Sequence, residues 1–426
     1  MGAVVRRHGR GLTAVAAALG LTAGLAACGH PGDSDGVTLR LVAADYGDSP
    51  ANASQKYWTT LADRFEASHP GIRIKVAVYS WNDVDRRVKD MVARGDAPDI
   101  AQIGAYADYA AQDRLYSADD VLSIPTEANF LPALRTAGEV SRIQYGLPFV
   151  ASTRLLFYNR TLFAKAGIGG PPTTWEELRD DAALLKAHGV KVPFALPLGP
   201  EEAQAETMMW LLSGGDGYVN DIGSYTLDSK QNVRTFTWLK DNLVGPGLTG
   251  PTPPARLDRA EAFAEFADGD VGMLNGHPTL MKTADDQGVK FGMVPLPGPD
   301  GRAKAAMGVA DWMMAFKQGG HKAEIRTFLD YVYNDTNMLS FCREYDLLPV
   351  TTSASQAMSG AHSAGRLGPF LDELPSAELY PVAKTSWAAV SADIKKTIGS
   401  AVAPGADPAS VLGALERSAQ ATDNAD

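Results

Sequence analysis

The sequence predicts two α/β units rather than one domain, and three observations carry that expectation. The chain has 426 residues, 45% of them hydrophobic, and a single hydrophobic core rarely serves so long a chain. Alternating strand and helix patterns occur before residue 150 and again after residue 190, the order that builds a largely parallel sheet flanked by helices. Two apolar stretches interrupted by proline, YGLPFVASTRLLFYNRTLF (145–163) and LLPVTTSA (347–354), stand where the chain would pass from one body to the other.

The first unit is preceded by a leader. Arg6, Arg7 and Arg10 come before LTAVAAALGLTAGLAAC (12–28). A positive start, a short apolar run and small residues before a cysteine describe an export signal ending at residue 28, too short for a membrane span. GHPGDSDG (29–36) reads as a flexible tether. With Cys28 assigned to the leader, Cys342 is the one ordinary thiol. A disulfide framework is therefore excluded, and the apolar helical pattern around Cys342 predicts a buried side chain. The net charge of -11, with no basic block, disfavours a nucleic-acid groove.

The elements follow in order. VTLRLVAADY (37–46) is a strand that turns polar at its end. Trp58, Leu61, Ala62 and Phe65 keep helical spacing until HPG (69–71) stops the helix. In IRIKVAVYSW (72–81) the apolar residues alternate as in a strand, and Val84, Val88 and Met91 then mark a helix. APDIAQIG (97–104) is a turn and a buried strand. Ligands of such sheets sit beyond the C-terminal strand ends, which singles out Asp45, Tyr46, Trp81, Gln102 and Tyr106.

YGLP is the expected first crossing, with Gly146 permitting the bend and Pro148 limiting it. VASTRLLFYN (150–159) is then one strand of the second unit, RTLFAKAG (160–167) a helix, and Phe149 a residue on the floor between the units. Thr174 and Glu177 form a capping box for the next helix. KVPFALPL (191–198) is a strand, Met208, Met209, Trp210 and Leu211 lie on a helix, and 258–268 is another. GDVGMLNG (269–276) is a short buried strand leading to Asn275 and His277. VKFGMVPLPGPDG (289–301) is a strand and turn. MGVADWMMAFK (307–317) holds Asp311 and Trp312 inside an apolar run, where a carboxylate needs a partner. Ile325, Phe328, Leu329 and Val332 define a helix, LLPVTTSA a second joint, and Trp387 opens the last helical region. The tail beyond about residue 418 is expected to fray.

Several blocks, in this order, resemble the extracellular solute-binding proteins of bacterial ABC sugar importers, the maltose-binding-like type. They are GDAPDI (95–100), GLPF followed by LLFYNRTLFAKAGIGGPPTTWEEL (146–178), FADGDVGMLNG (266–276), KFGMVPLPGPDG (290–301), MGVADW (307–312), LLPVTTSA and TSWAAV (385–390). LAAC (25–28) is similar to the lipobox at which bacterial lipoproteins are diacylated. The resemblance implies a periplasmic-binding-protein-like fold of the class II type, with discontinuous α/β lobes around a central cleft. Lobe one would comprise 37–146 and 295–345, lobe two 147–294 and 346–402, and 403–426 a tail. It further implies a monomer held to the outer face of the cell membrane by lipid on Cys28. That protein would capture a carbohydrate, deliver it to a permease, need no cofactor or metal, and catalyse nothing.

A sugar presents apolar C–H faces and a rim of hydroxyls. Its site therefore needs flat aromatic rings and a few fixed donors and acceptors. The candidates are Asp45, Tyr46, Trp81, Gln102, Tyr106, Phe149, Trp210, Asn275, His277, Asp311, Trp312 and Trp387. Other solutes fit the same architecture: a polyol, a glycerophosphodiester, a polyamine or a peptide. A carbohydrate-active enzyme is the alternative of a different class, needing two carboxylates across one glycosidic bond, and a cell-surface structural lipoprotein is a third. No His-Glu-x-x-His spacing occurs, and PLPGPDG lacks the lysine and hydroxyl end of a phosphate loop.

Overall fold

The structure is a computed structural model describing residues 36–47, 52–81, 83–302, 306–360 and 365–425. The expected leader, its Cys28 and most of the tether lie outside the described residues. Among the described residues no helix is long and apolar enough to cross a membrane.

Eleven strands are described: β1 (Val37–Ala44), β2 (Ile72–Tyr79), β3 (Ile100–Ile103), β4 (Glu139–Val140), β5 (Ile143–Gln144), β6 (Leu147–Thr153), β7 (Leu155–Asn159), β8 (Val192–Ala195), β9 (Val271–Gly276), β10 (Phe291–Val294) and β11 (Gly308–Ala315). They form two main sheets, ordered β2-β1-β3-β11-β6 and β10-β7-β9-β8, while β4 and β5 make a small ribbon. In the first sheet β1 is parallel to β2 and β3, and β11 lies antiparallel between β3 and β6. In the second, β7 is antiparallel to β9 and β10, and β8 is parallel to β9.

Helices cover both sheets through the apolar stripes visible in the sequence. The helix Ser54–Ser68 buries Trp58, Leu61, Ala62 and Phe65, and Lys322–Val332 buries Ile325, Phe328, Leu329 and Val332. Each such side chain contributes about 1.5–3 kcal/mol by leaving water. The helix Val84–Ala93 buries Val84, Val88 and Val92, so its inner stripe runs through Val92 rather than Met91. Cys342 is fully buried in the helix Asp335–Glu344. Around the second sheet, the helix Trp175–Ala187 is capped by Thr174, whose hydroxyl accepts from the Glu177 amide at 3.1 Å. Glu177 reaches back to Thr173, at 2.7 Å from its amide, so the reciprocal half of the expected capping box falls one residue early.

Three boundaries differ from the sequence expectation. The stretch 147–159 is two strands in two sheets, and the chain crosses at Arg154, not at Gly146 or Pro148. A continuous apolar run cannot reveal this, because strand partners are chosen elsewhere in the chain. Residues 346–376 do not join the second lobe's sheet. Leu348 pairs with Ala151 of β6, and the Phe370 carbonyl accepts from the buried Thr153 hydroxyl. The chain returns to the second lobe only after Glu378, which bridges Met307. The tail is not frayed: the helix Pro408–Asp423 buries Leu412, Leu415 and Ala419, with the Asp407 side chain accepting from the Ala409 amide at its start. Small residues let that helix pack closely.

Gly146 also has a different role from the one its position suggests. A Cβ there would stand 2.6 Å from the Tyr106 ring, so the residue is small to admit that ring. Gly146→Ala is expected to destabilise the fold by about 1–3 kcal/mol through overpacking. Urea titration followed by tryptophan fluorescence measures it, and an unchanged midpoint contradicts the close-approach role.

Candidate functional site

A cleft of about 780 Å³, open to solvent, separates the two sheets. Asp45, Tyr46, Trp81, Asp85 and Asp311 line it from the first lobe. Glu201, Glu202, Arg259, His277, Tyr380 and Trp387 line it from the second, with Ser152 and Arg154 at the crossing between them.

The first wall is built where β1 ends. Asp45 spends one carboxylate oxygen on the turn, accepting from the Gly47 amide at 3.0 Å and the Ser54 amide at 2.9 Å. Tyr46 follows, and its hydroxyl donates to Asp311 Oδ2 at 2.7 Å while accepting from Gln102 Nε2 at 2.8 Å. Gln102 is in turn held by the Ala44 amide, 3.0 Å from its Oε1. The Tyr46 ring meets Trp81 edge-on at 5.4 Å. Burial pushes the Asp311 carboxyl up to about 6, against the hydrogen bond from Tyr46.

Opposite Asp311 the pairing of β11 with β6 is irregular. Asp311 pairs with Val150 and Trp312 with Pro148, so Phe149 is one residue too many on β6. Such a bulge re-aims side chains, and it tolerates a proline that lacks a ladder donor. Alternation along β11 puts Asp311 at the cleft while the neighbouring Trp312 packs inside on Tyr106, ring centroids 5.2 Å apart.

On the second wall Trp387 begins the helix Trp387–Thr397 and stacks on Tyr380, with centroids 5.2 Å apart and planes 27° from parallel. At the crossing, the Arg154 guanidinium donates to Ser152 Oγ at 3.1 Å and Glu202 Oε1 at 2.8 Å. Glu202 also pairs with Arg259 at 2.6 Å, and Arg259 with Glu201 at 2.5 Å. His277 is half-buried, with Nδ1 2.9 Å from the Thr279 hydroxyl. Burial, then the positive charges of Arg154 and Arg259, hold its pKa well below the usual histidine range, so the ring is neutral at neutral pH.

Of the twelve sequence candidates, Asp45, Tyr46, Trp81, His277, Asp311 and Trp387 line this cleft. The remaining six do not. Gln102 is fully buried behind Tyr46 and orients its hydroxyl. Tyr106 is buried with its hydroxyl on the Ala137 carbonyl at 2.5 Å. Phe149 stacks on Trp58 at 5.4 Å. Trp312 is buried as described. Trp210 belongs to the second lobe's core beside Phe194, at 5.6 Å, and its Nε1 donates to Glu206 at 2.7 Å. Asn275 lies behind the wall and also donates to Glu206, at 2.9 Å. These were chosen for standing near strand or helix ends, and at such ends aromatic residues serve cores as readily as sugar faces. Sequence reasoning missed Asp85, Arg154, Glu201, Glu202, Arg259 and Tyr380. Arg154 carries a signal, being a charge inside an apolar strand run. Its partners announce nothing locally.

Comparisons with known proteins agree with this architecture. Residues 49–339 match the profile of the bacterial extracellular solute-binding protein family. A binding protein of Brucella abortus (strain 2308) is 28% identical over 374 residues, covering 85% of this chain and 88% of that one. The sn-glycerol-3-phosphate-binding periplasmic protein of Escherichia coli (strain K12) is 27% identical over 320 residues, covering 69% and 71%. Among solved structures, the cyclic alpha-maltosyl-1,6-maltose binding protein of Arthrobacter globiformis superposes with a TM-score of 0.77 at 19% identity, over 92% of this chain and 100% of that one. An ABC transporter solute-binding protein of Thermotoga lettingae, bound with alpha-D-tagatose, gives 0.75 at 18% identity, over 91% and 100%. These two likenesses establish the two-lobed fold.

Proposed function

Because the chain belongs to the bacterial extracellular solute-binding protein family, we propose that its interlobe cleft captures a neutral carbohydrate and delivers it to the permease of an ABC importer. The carrying observation is the placement of aromatic rings on opposite walls, Tyr46 and Trp81 facing one way and Tyr380 and Trp387 the other. Rings from both sides suit the two C–H faces of a sugar, while Asp311 and Asp45 accept from its hydroxyls. Closing the lobes buries both sets at once, which couples capture to shape.

The charge pattern supports a neutral solute over an anionic one. Arg154 and Arg259 are engaged by Glu202 and Glu201, and Lys384 by Asp423 at 2.8 Å. A phosphate ester would have to displace these carboxylates to reach Arg154, Arg259 or Lys384. The Escherichia coli relative is named for sn-glycerol 3-phosphate, so that compound is the appropriate competitor in a test. Export, diacylation of Cys28 and a monomeric state belong to the same proposal, on the sequence of the leader and the resemblance alone.

Titration calorimetry with maltose, maltotriose, glucose, galactose and sn-glycerol 3-phosphate tests the reading, with small-angle scattering to follow closure. A saturable sugar with compaction is expected, and Trp387→Ala should weaken it at least about tenfold. Binding of sn-glycerol 3-phosphate alone would replace the carbohydrate reading with a phosphate-ester one, and no saturable ligand would end the receptor reading.

A further inference from the structure

Behind His277 the cleft continues into a narrow recess in the second lobe, walled by Arg154, Ala205, Glu206, Met209, Asn275 and His277. It admits a group of about water size and no sugar ring. Asn275 is 5% exposed; its Nδ2 donates to Glu206 Oε1, but its Oδ1 finds no donor among the described residues. An acceptor left buried and unpaired keeps the full cost of its desolvation. The natural remedy is a donor arriving with the ligand.

Glu206 is 6% exposed, and both of its hydrogen bonds, from Trp210 and Asn275, fall on Oε1. Burial pushes its carboxyl up to about 8, so it is protonated at neutral pH. The bonded Oε1 is the carbonyl-like oxygen, and the proton resides on Oε2. The recess thus offers an acceptor at Asn275 and an O–H donor at Glu206. That pair complements a hydroxyl, which both donates and accepts. A carboxylate or phosphate could not satisfy the Asn275 oxygen.

We propose that this recess is a specificity pocket that receives the hydroxymethyl group of a hexose unit, its hydroxyl donating to Asn275 Oδ1. The inference rests on the carbohydrate reading and deepens it. It makes the protein select hexoses over pentoses of the same ring configuration, since those lack only that group.

The test is calorimetric titration with three matched pairs: glucose and xylose, galactose and L-arabinose, cellobiose and xylobiose. The wild type is compared with Asn275→Leu, which removes the acceptor, and Ala205→Leu, which fills the recess without altering a polar group. Thermal melts confirm that each variant is folded. In the wild type, at least one hexose member is expected to bind at least tenfold tighter than its pentose partner, with the gap closing in both variants. Sugars bound with no hexose preference, or a preference surviving in both folded variants, would overturn the pocket and leave the carbohydrate reading standing; the recess would then hold a structural water only. No binding of any of the six, nor of maltose or maltotriose, would overturn both.

Discussion

Arg154→Met is expected to destabilise the protein by about 3 kcal/mol, or about 4 °C in melting temperature for a chain of this size. Arg154 is 8% exposed and stands between β6 and β7, the single residue that joins the two sheets there. Removing it leaves Glu202, partly exposed at the cleft, with Arg259 as its remaining partner among the described residues. The loss therefore reflects a carboxylate left with half of its compensation, together with the lost packing of the buried arginine, more than the worth of the pair itself. The double variant Arg154→Met with Glu202→Gln should recover part of the loss, because the half-compensated charge is gone. Calorimetric melts of the two single variants and the double variant check this as a mutant cycle. Additive losses would mean that the ion pair contributes nothing and that Arg154 acts by packing alone.

Glu206 governs a pH dependence of comparable size. An unfolded glutamate titrates near 4.5, whereas here burial raises the carboxyl to about 8, aided by the nearby Glu202 charge and opposed by Trp210, Asn275 and Arg154. The native state thus holds a proton that the unfolded chain releases. Stability from this group is complete below about pH 4.5 and declines as pH rises from there through about 8, by on the order of 5 kcal/mol. Asp311, raised to about 6, acts with the same sign over a lower interval. His277, whose pKa is depressed, acts oppositely: its stabilisation falls away as pH drops below the usual histidine range. Glu206→Gln keeps an acceptor for Trp210 and Asn275 but cannot ionise. Its melting temperature should be nearly level between pH 6 and 8, where the wild type falls by about 3 °C. Parallel curves would show that Glu206 does not set the slope.

Much of the fold is legible locally. The alternation of Ile72, Ile74, Val76 and Val78 and the helical spacing of Trp58, Leu61, Ala62 and Phe65 need no distant information, and both elements form as read. What is hidden depends on partners far along the chain. The run 147–159 looks like one strand, and only pairing with β11 and β9 divides it at Arg154. Leu348 looks like a joint until its pairing with Ala151 is known. In the site, Tyr46 and Asp311 are legible because a strand turning polar and a carboxylate in an apolar run are both locally anomalous. Tyr106, Phe149, Trp210 and Trp312 are aromatic near element ends too, but they satisfy ordinary core packing. Glu202 lies 48 residues from Arg154, and its exposed-looking neighbourhood gives no hint of the pair.

The central position of β11 has a consequence for how the protein comes into being. The first sheet has a gap between β3 and β6 until residues 308–315 arrive, and the helices Trp387–Thr397 and Pro408–Asp423 cover the second sheet later still. No single cut in the chain separates one finished lobe from the other. At about 5–20 residues per second, synthesis reaches β11 only after roughly 15–60 s, and contacts of such long sequence separation form slowly. Through that interval the nascent chain has no completed first-lobe core. Apolar strands destined for the interior remain open to chaperones, and the polypeptide stays loose enough to be threaded elsewhere before it folds.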